Sequence, residues 1–311
     1  MTLLLTALLQ SAPQSAMQNC APTQLFDCAQ EVFRLTTEGW IDRALGAAQT
    51  LFVSLAILEI VVTGYIYWSR RPQESDLIGQ FVLKLGILAF VLGLLSTYHH
   101  WLPLVPKAFG EGAMHIGGDV VAQLSPTHLV NTGLSIFLST LKALGLTTDI
   151  IVVLAFVPAL IILLCFVILA AQLLVTLIES YIVVTGGLFF VGFMAFRGTA
   201  PLGAGYLQYI VYVGVKLFFL ILVASVSATI GDDMVALLNQ YDNLWLELIE
   251  NLFRLDPRGA ADAVTSRLGF LWSITAVAIL LAVLGVTLPD RIARQMSSSM
   301  TFSLKGVLQR L

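Results

Sequence analysis

Four formal charges lie inside the long apolar stretches of this chain: Glu59, Lys84, Glu179 and Lys216. A lone ion near the centre of a membrane helix costs about 2.5–3.5 kcal/mol on insertion scales, so such residues pair, face a protein interior or sit at a headgroup boundary. Opposite signs on different segments suggest two pairs, Glu179 with Lys216 and Glu59 with Lys84. For Glu179, a headgroup position at a helix junction and an interior pairing stand equally open. Lys84 lies only a few residues inside its segment, so snorkelling to the headgroups is its alternative.

Other reactive residue types are sparse. The histidines His99, His100, His115 and His128 all fall in one connection, but their spacing matches no familiar ligand pattern, and solvated or interfacial imidazoles are the simpler reading. Cys20 and Cys28 lie in the polar segment NCAPTQLFDC, where they could close a small disulfide loop in an oxidising compartment. Cys165 sits in an apolar stretch as a small buried hydrophobe. No GxxxxGK[ST] phosphate loop, HExxH helix or GxSxG elbow is present. The expectation is a protein that is not an enzyme and holds no metal or cofactor. Any transport work would be driven by a partner ATPase or an ion gradient.

The elements that must position these charges are set by composition. The chain is 58% hydrophobic and 11% charged, against about 25% charged in soluble domains, which makes it an integral membrane protein. Its apolar segments are unbroken and do not alternate at period two, so they are helices and not barrel strands. A net charge of −3 argues against a surface that coats nucleic acid.

The longest apolar run, Ile150 to Phe196, carries the single charge Glu179. As one helix it would be about 70 Å long, over twice a bilayer core of about 30 Å, so it must break. Pro158 and the pair Gly186-Gly187 are the candidate break points. A span over Ile150–Ile178 is expected, followed by a piece from Tyr181 to Phe196 that either crosses again or re-enters.

Around this run the chain divides as follows. Residues 1–43 form a polar N-terminal segment whose apolar run Leu3–Leu9 lacks the basic start of a secretory signal; Leu25 to Trp40 has the pattern of a short amphipathic helix. Residues 44–98 form a transmembrane hairpin of spans Ala44–Trp68 and Ile78–Tyr98, joined by SRRPQESDL. Residues 99–149 form a loop in which Leu129–Leu146 has apolar residues at helical spacing. The core region 150–230 ends in a span from Tyr206 to Ile230. An acidic amphipathic loop (231–267), a last span (268–288) and a basic tail (289–311) complete the chain. The fold class is therefore an all-α polytopic membrane protein with about five net crossings, a re-entrant or broken helix and interfacial helices.

Basic residues near span ends favour the cytoplasm. The tail, with Arg291, Arg294, Lys305 and Arg310 against Asp290, belongs inside with Arg70-Arg71. The acidic stretch then lies outside, and the run Ile150–Phe196 crosses once in net. The cysteine pair places the N-terminus outside.

The run Glu179-Ser180-Tyr181 through Gly187 to Gly192-Phe193, then Thr199 and Tyr206 to Leu217 with Gly214-Val215-Lys216-Leu217, resembles the TrbL family of conjugal-transfer proteins, polytopic inner-membrane components of type IV secretion systems. The outer frame fits as well, from the cysteine-bearing N-terminus and the two-span hairpin to the cytoplasmic tail. Met194-Ala195-Phe196 departs from the small, glycine-rich continuation expected there. The resemblance implies a channel or platform subunit of the bacterial inner membrane that helps move DNA, and also protein, in conjugation. It implies a homo-oligomer, expected to be a pentamer. Its partners would be the scaffold subunits, secretion ATPases, pilus subunits and the transferred single strand in transit.

By the residues alone, Gly186, Gly187 and Gly192 mark close helix approach and a bend, with pore lining as the other reading. The basic tail orients the chain and binds anionic membrane lipid. A secondary transporter or ion channel unrelated to conjugation is the alternative function, though four scattered charges supply little of the midplane ligand cluster it would need.

Overall fold

A run of apolar residues in a bilayer must satisfy its backbone internally, and this chain does so almost wholly with helices. The computed structural model describes residues 24–70, 74–98, 104–117, 125–144, 150–253 and 257–299. In order, the α-helices are α1 (Leu25–Glu38), α2 (Ile41–Arg70), α3 (Glu74–Ser96), α4 (Leu104–Gly117), α5 (Pro126–Leu144), α6 (Ile150–Gly186), α7 (Leu188–Gly192), α8 (Ala200–Phe253) and α9 (Pro257–Ser299). A 3-10 turn, Phe193–Ala195, links α7 to α8. By length and composition, Phe26–Ile66, Phe156–Ala195, Ala200–Leu237 and Gly269–Met296 can each cross a membrane, and Leu85–Ser96 is a shorter apolar helix. The protein is an all-α polytopic membrane protein.

Several boundaries differ from those expected. The helix that begins at Ile150 does not end at Ile178 but continues through Tyr181 to Gly186, so only Leu188–Ala195 is a separate piece. Pro158 is buried inside α6 without ending it. The acidic stretch is not a loop over 231–267, because α8 runs unbroken to Phe253 and α9 begins at Pro257. The last span likewise extends beyond 268–288, through Pro289 to Ser299. The described residues between 99 and 149 include two helices, α4 and α5, where one was expected. A helix satisfies its backbone through polar residues as well as apolar ones, and the interior prolines Pro158 and Pro289 are both buried against neighbouring elements, which offsets the hydrogen bond each removes.

Helices α6 and α8 are antiparallel. At one end Gly231 meets Phe166 and Thr132; at the other the Tyr206 hydroxyl donates to the Val183 carbonyl at 3.0 Å. The run Ile150–Phe196 therefore traverses the bundle once before the chain reverses. Helix α9 packs back on both, with Gly285 against Leu169 and Val223.

Two apolar clusters follow one another along α6 and α8. The first gathers Ile162, Phe166, Leu169 and Leu173 with Leu220, Ala224, Ile274 and Leu129. The second gathers Phe52, Val91, Leu95 and Tyr98 with Val184, Leu188, Val191 and Ile210. Tyr98 joins them to the chain reversal by donating its hydroxyl to the Val184 carbonyl.

The break at Gly187 is held by close contact. A Cβ there would overlap the ring of Tyr206, which is buried and tethered to Val183. Beyond it, Thr199 Oγ1 donates to the carbonyls of Phe193 at 2.8 Å and Phe196 at 3.2 Å. Phe196 is extended, with φ −115 and ψ 128, which ends the 3-10 turn. We expect Gly187→Ala to destabilise by about 1–3 kcal/mol through overpacking. Gly186→Ala, with nothing within 4 Å of its Cβ position, should be neutral or stabilising by up to about 1 kcal/mol. Thermal unfolding of the two detergent-solubilised variants compares them directly, and equal midpoints would contradict the contact argument.

Candidate functional site

Between the two apolar clusters lies a layer of charge. Helix α6 contributes Glu179, which lies between Leu173 of the first cluster and Val184 of the second. Helix α8 contributes Tyr209, Tyr212 and Lys216, whose spacings of three and four residues put them on one face. Helix α9 contributes Asp290 and Arg294.

Lys216 occupies the centre. Its Nζ lies 3.1 Å from Glu179 Oε2 and 3.7 Å from Asp290 Oδ1. The Tyr209 hydroxyl donates to Glu179 Oε1 at 2.6 Å, and the Tyr212 hydroxyl donates to Asp290. Arg294 completes the layer at 2.7 Å from Asp290 Oδ2. Side-chain exposure falls from 74% at Arg294 through 30% at Asp290 and 23% at Glu179 to 11% at Lys216. The set is formally neutral, with two acids and two bases, and each ion is paired, which is the condition under which buried charges are tolerated. The stacked rings of Tyr209 and Tyr212, 5.7 Å apart, wall the cluster on the side of an open cleft of about 370 Å³ lined by Glu179, Gly205 and Gln208.

The Glu179–Lys216 pair expected from the sequence is thus formed. The other expected pair involves Lys84, whose side chain lies outside the described residues. Glu59 itself is 1% exposed, with Arg197 Nε at 3.9 Å, the Arg197 backbone N–H at 3.3 Å and the Thr63 hydroxyl at 3.4 Å. This couples α2 to the segment between α7 and α8. Sequence reasoning missed Arg197, Asp290, Arg294 and the two tyrosines. Asp290 and Arg294 carried a signal in their four-residue spacing, which only counts once α9 is known to continue past Pro289.

Of the glycines singled out in the sequence, Gly187, Gly192 and Gly214 mark a close approach and Gly186 does not. Gly192 would place a Cβ 2.8 Å from the Ala48 carbonyl of α2, and Gly214 one 2.5 Å from the ring of Phe109 on α4. Phe193 lies in the 3-10 turn, with its ring 5.4 Å from that of Phe189. Ser180 is buried and donates to the Leu177 carbonyl at 2.7 Å. Tyr181 turns the other way from Glu179 and accepts from Gln30 Nε2 of α1 at 3.4 Å.

Cys28 is disulfide-bonded, Cys165 is free and buried, and Cys20 lies outside the described residues. His115 is exposed on α4, His128 stands in the first turn of α5 with a buried Nδ1 lacking a hydrogen-bond partner, and His99 and His100 are outside the described residues. Among the described residues, no three metal-ligating side chains converge.

Residues 56–255 match the family described as TrbL/VirB6 plasmid conjugal transfer protein. The chain belongs to that family. The match covers the hairpin, the charged layer on α6 and α8, and the chain reversal between them. A probable conjugal transfer protein TrbL from Sinorhizobium fredii (strain NBRC 101917 / NGR234) is 25% identical over 199 residues, which is 62% of this chain and 49% of that protein. The chain thus spans about half the length of that curated relative.

Removing the base at the centre of this family-matched region strands two acids. We expect Lys216→Met to cost about 3 kcal/mol, the low end for a broken buried pair because both carboxylates keep partial contact with water. Glu179→Gln in the same background should recover part of the loss. A double-mutant cycle on unfolding of the solubilised protein measures this coupling, and additive effects would show that the pair contributes nothing.

Proposed function

We propose that this chain is a multi-pass subunit of the bacterial inner (cytoplasmic) membrane in a conjugative type IV secretion machine, where it helps carry DNA across that membrane. The observation that carries this reading is the family match over residues 56–255, which takes in the whole charged layer except α9. Basic residues near span ends support an N-terminus in the periplasm and a C-terminus in the cytoplasm, with Arg291 and Arg294 on the cytoplasmic side.

On this reading the chain is not itself an enzyme. It supplies a path or mount, and the energy comes from a partner secretion ATPase or an ion gradient. Copies of the chain assemble with one another, as a pentamer, and with scaffold and pilus subunits. The apolar side chains that α2 leaves exposed, among them Ile57, Val61, Tyr65 and Trp68, suit lipid and neighbouring copies equally. The three-helix tie at Lys216 keeps the wall of such an assembly rigid while strand and partner move against it.

Formaldehyde crosslinking in a mating donor, followed by isolation of this protein and probing for the transferred strand, tests the proposal. Recovery of the strand, lost when the partner ATPase is disabled, is the expected result. Co-isolation of secretion subunits without DNA would make the chain a platform beside the path. Isolation of neither would overturn the conjugation reading and favour a transporter or channel of small solutes.

A further inference from the structure

On the face of α6 opposite Glu179, helices α1, α4, α6 and α8 enclose a cavity of about 670 Å³. Its volume falls within the about 300–1,000 Å³ of pockets that hold one small-molecule-sized ligand. The lining has two parts. Leu177, Val184, Leu217 and Ile221 give it an apolar strip, beside which α6 adds the hydroxyls of Ser180, Tyr181 and Thr185, and Glu38, Lys107 and Glu111 are its charged lining.

The charged lining carries both signs. Lys107 Nζ is 3.7 Å from Glu111 Oε1, and both side chains are exposed, so this contact is loose and open to exchange. Glu38 comes from α1, where Arg34 holds it at 3.0 Å. Lys107, Glu111 and the Glu38 carboxylate that Arg34 shares form a mixed-sign receptor for a headgroup that is itself a zwitterion. Phosphate suits Lys107, and a primary ammonium can donate hydrogen bonds to Glu38 and Glu111, which a quaternary one cannot. A headgroup of net negative charge would meet more carboxylate than ammonium. The apolar strip takes hydrocarbon, and the chain lies in a membrane where phospholipid is the abundant molecule of this chemistry.

We propose that this cavity is a binding site for one phospholipid with a phosphoethanolamine headgroup. One acyl chain lies along Leu177, Leu217 and Ile221, the phosphate sits at Lys107 and the ammonium at Glu38 and Glu111. The lipid then cements the amphipathic helices α1 and α4 to the transmembrane helices α6 and α8.

Native mass spectrometry of the full chain, delipidated in detergent and titrated separately with phosphatidylethanolamine, phosphatidylcholine and phosphatidylglycerol, tests the site. The expected result is one phosphatidylethanolamine retained per chain, at least tenfold tighter than the other two lipids. Ile221→Trp, which fills the interior, should abolish retention. Lys107→Glu, at an exposed position that leaves the packing alone, should weaken it at least tenfold. Equal retention of all three lipids, a preference for phosphatidylglycerol, or undiminished binding by folded Lys107→Glu would overturn the assignment. Absence of any retained lipid in the parent chain would overturn it as well.

Discussion

Lys216 is the residue on which the second half of this structure depends. It stands on α8 and reaches a carboxylate on α6 and another on α9. In an aqueous protein such pairs contribute little, but Lys216, 11% exposed between apolar helices, has lost most of its water and must find its opposites within the bundle. Geometry is therefore constrained in three directions at once. Helices α6, α8 and α9 cannot slide or rotate past one another without separating an ammonium from its acids. Dispersion contacts among leucines resist such sliding far less, because one leucine fits a groove about as well as the next.

Close backbone approach supplies the second constraint. Gly187 admits the ring of Tyr206, Gly192 admits the backbone of α2, and Gly214 admits Phe109 of α4. Each is a place where a neighbouring element occupies the volume of a side chain. The chain can reverse between α6 and α8 in a short segment because those neighbours hold it there, with Thr199 tying down the carbonyls that the reversal frees. The same segment presents Arg197 to the buried Glu59 of α2. Both ion clusters thus bear on the turn, one from each side.

This arrangement accounts for a feature of the family match in physical terms. The matched residues 56–255 carry no GxxxxGK[ST] phosphate-loop sequence. They do contain the paired charges, the tight glycines and the reversal. What they specify is a closely packed helical architecture within the membrane, built on paired charges.

The residue sequence alone determined the helical membrane class, the need for the long run to break, with Gly186-Gly187 as one of two candidate points, and the Glu179–Lys216 pair as one of two readings of that acid. Those are consequences of composition, helix length and the cost of an unpaired ion, none of which needs coordinates. The amphipathic helix near Leu25 was legible from its apolar spacing. Helix ends were not, because an apolar pattern stops where the bilayer stops, whereas α8 and α9 continue as helix through polar residues. Only the tertiary structure decided that Asp290 belongs beside Lys216, since in sequence it reads as the lone acid of a basic tail. It likewise decided that Arg197 faces Glu59. In both cases the partners are far apart along the chain, and proximity across that distance is set by how the helices pack and not by any local spacing.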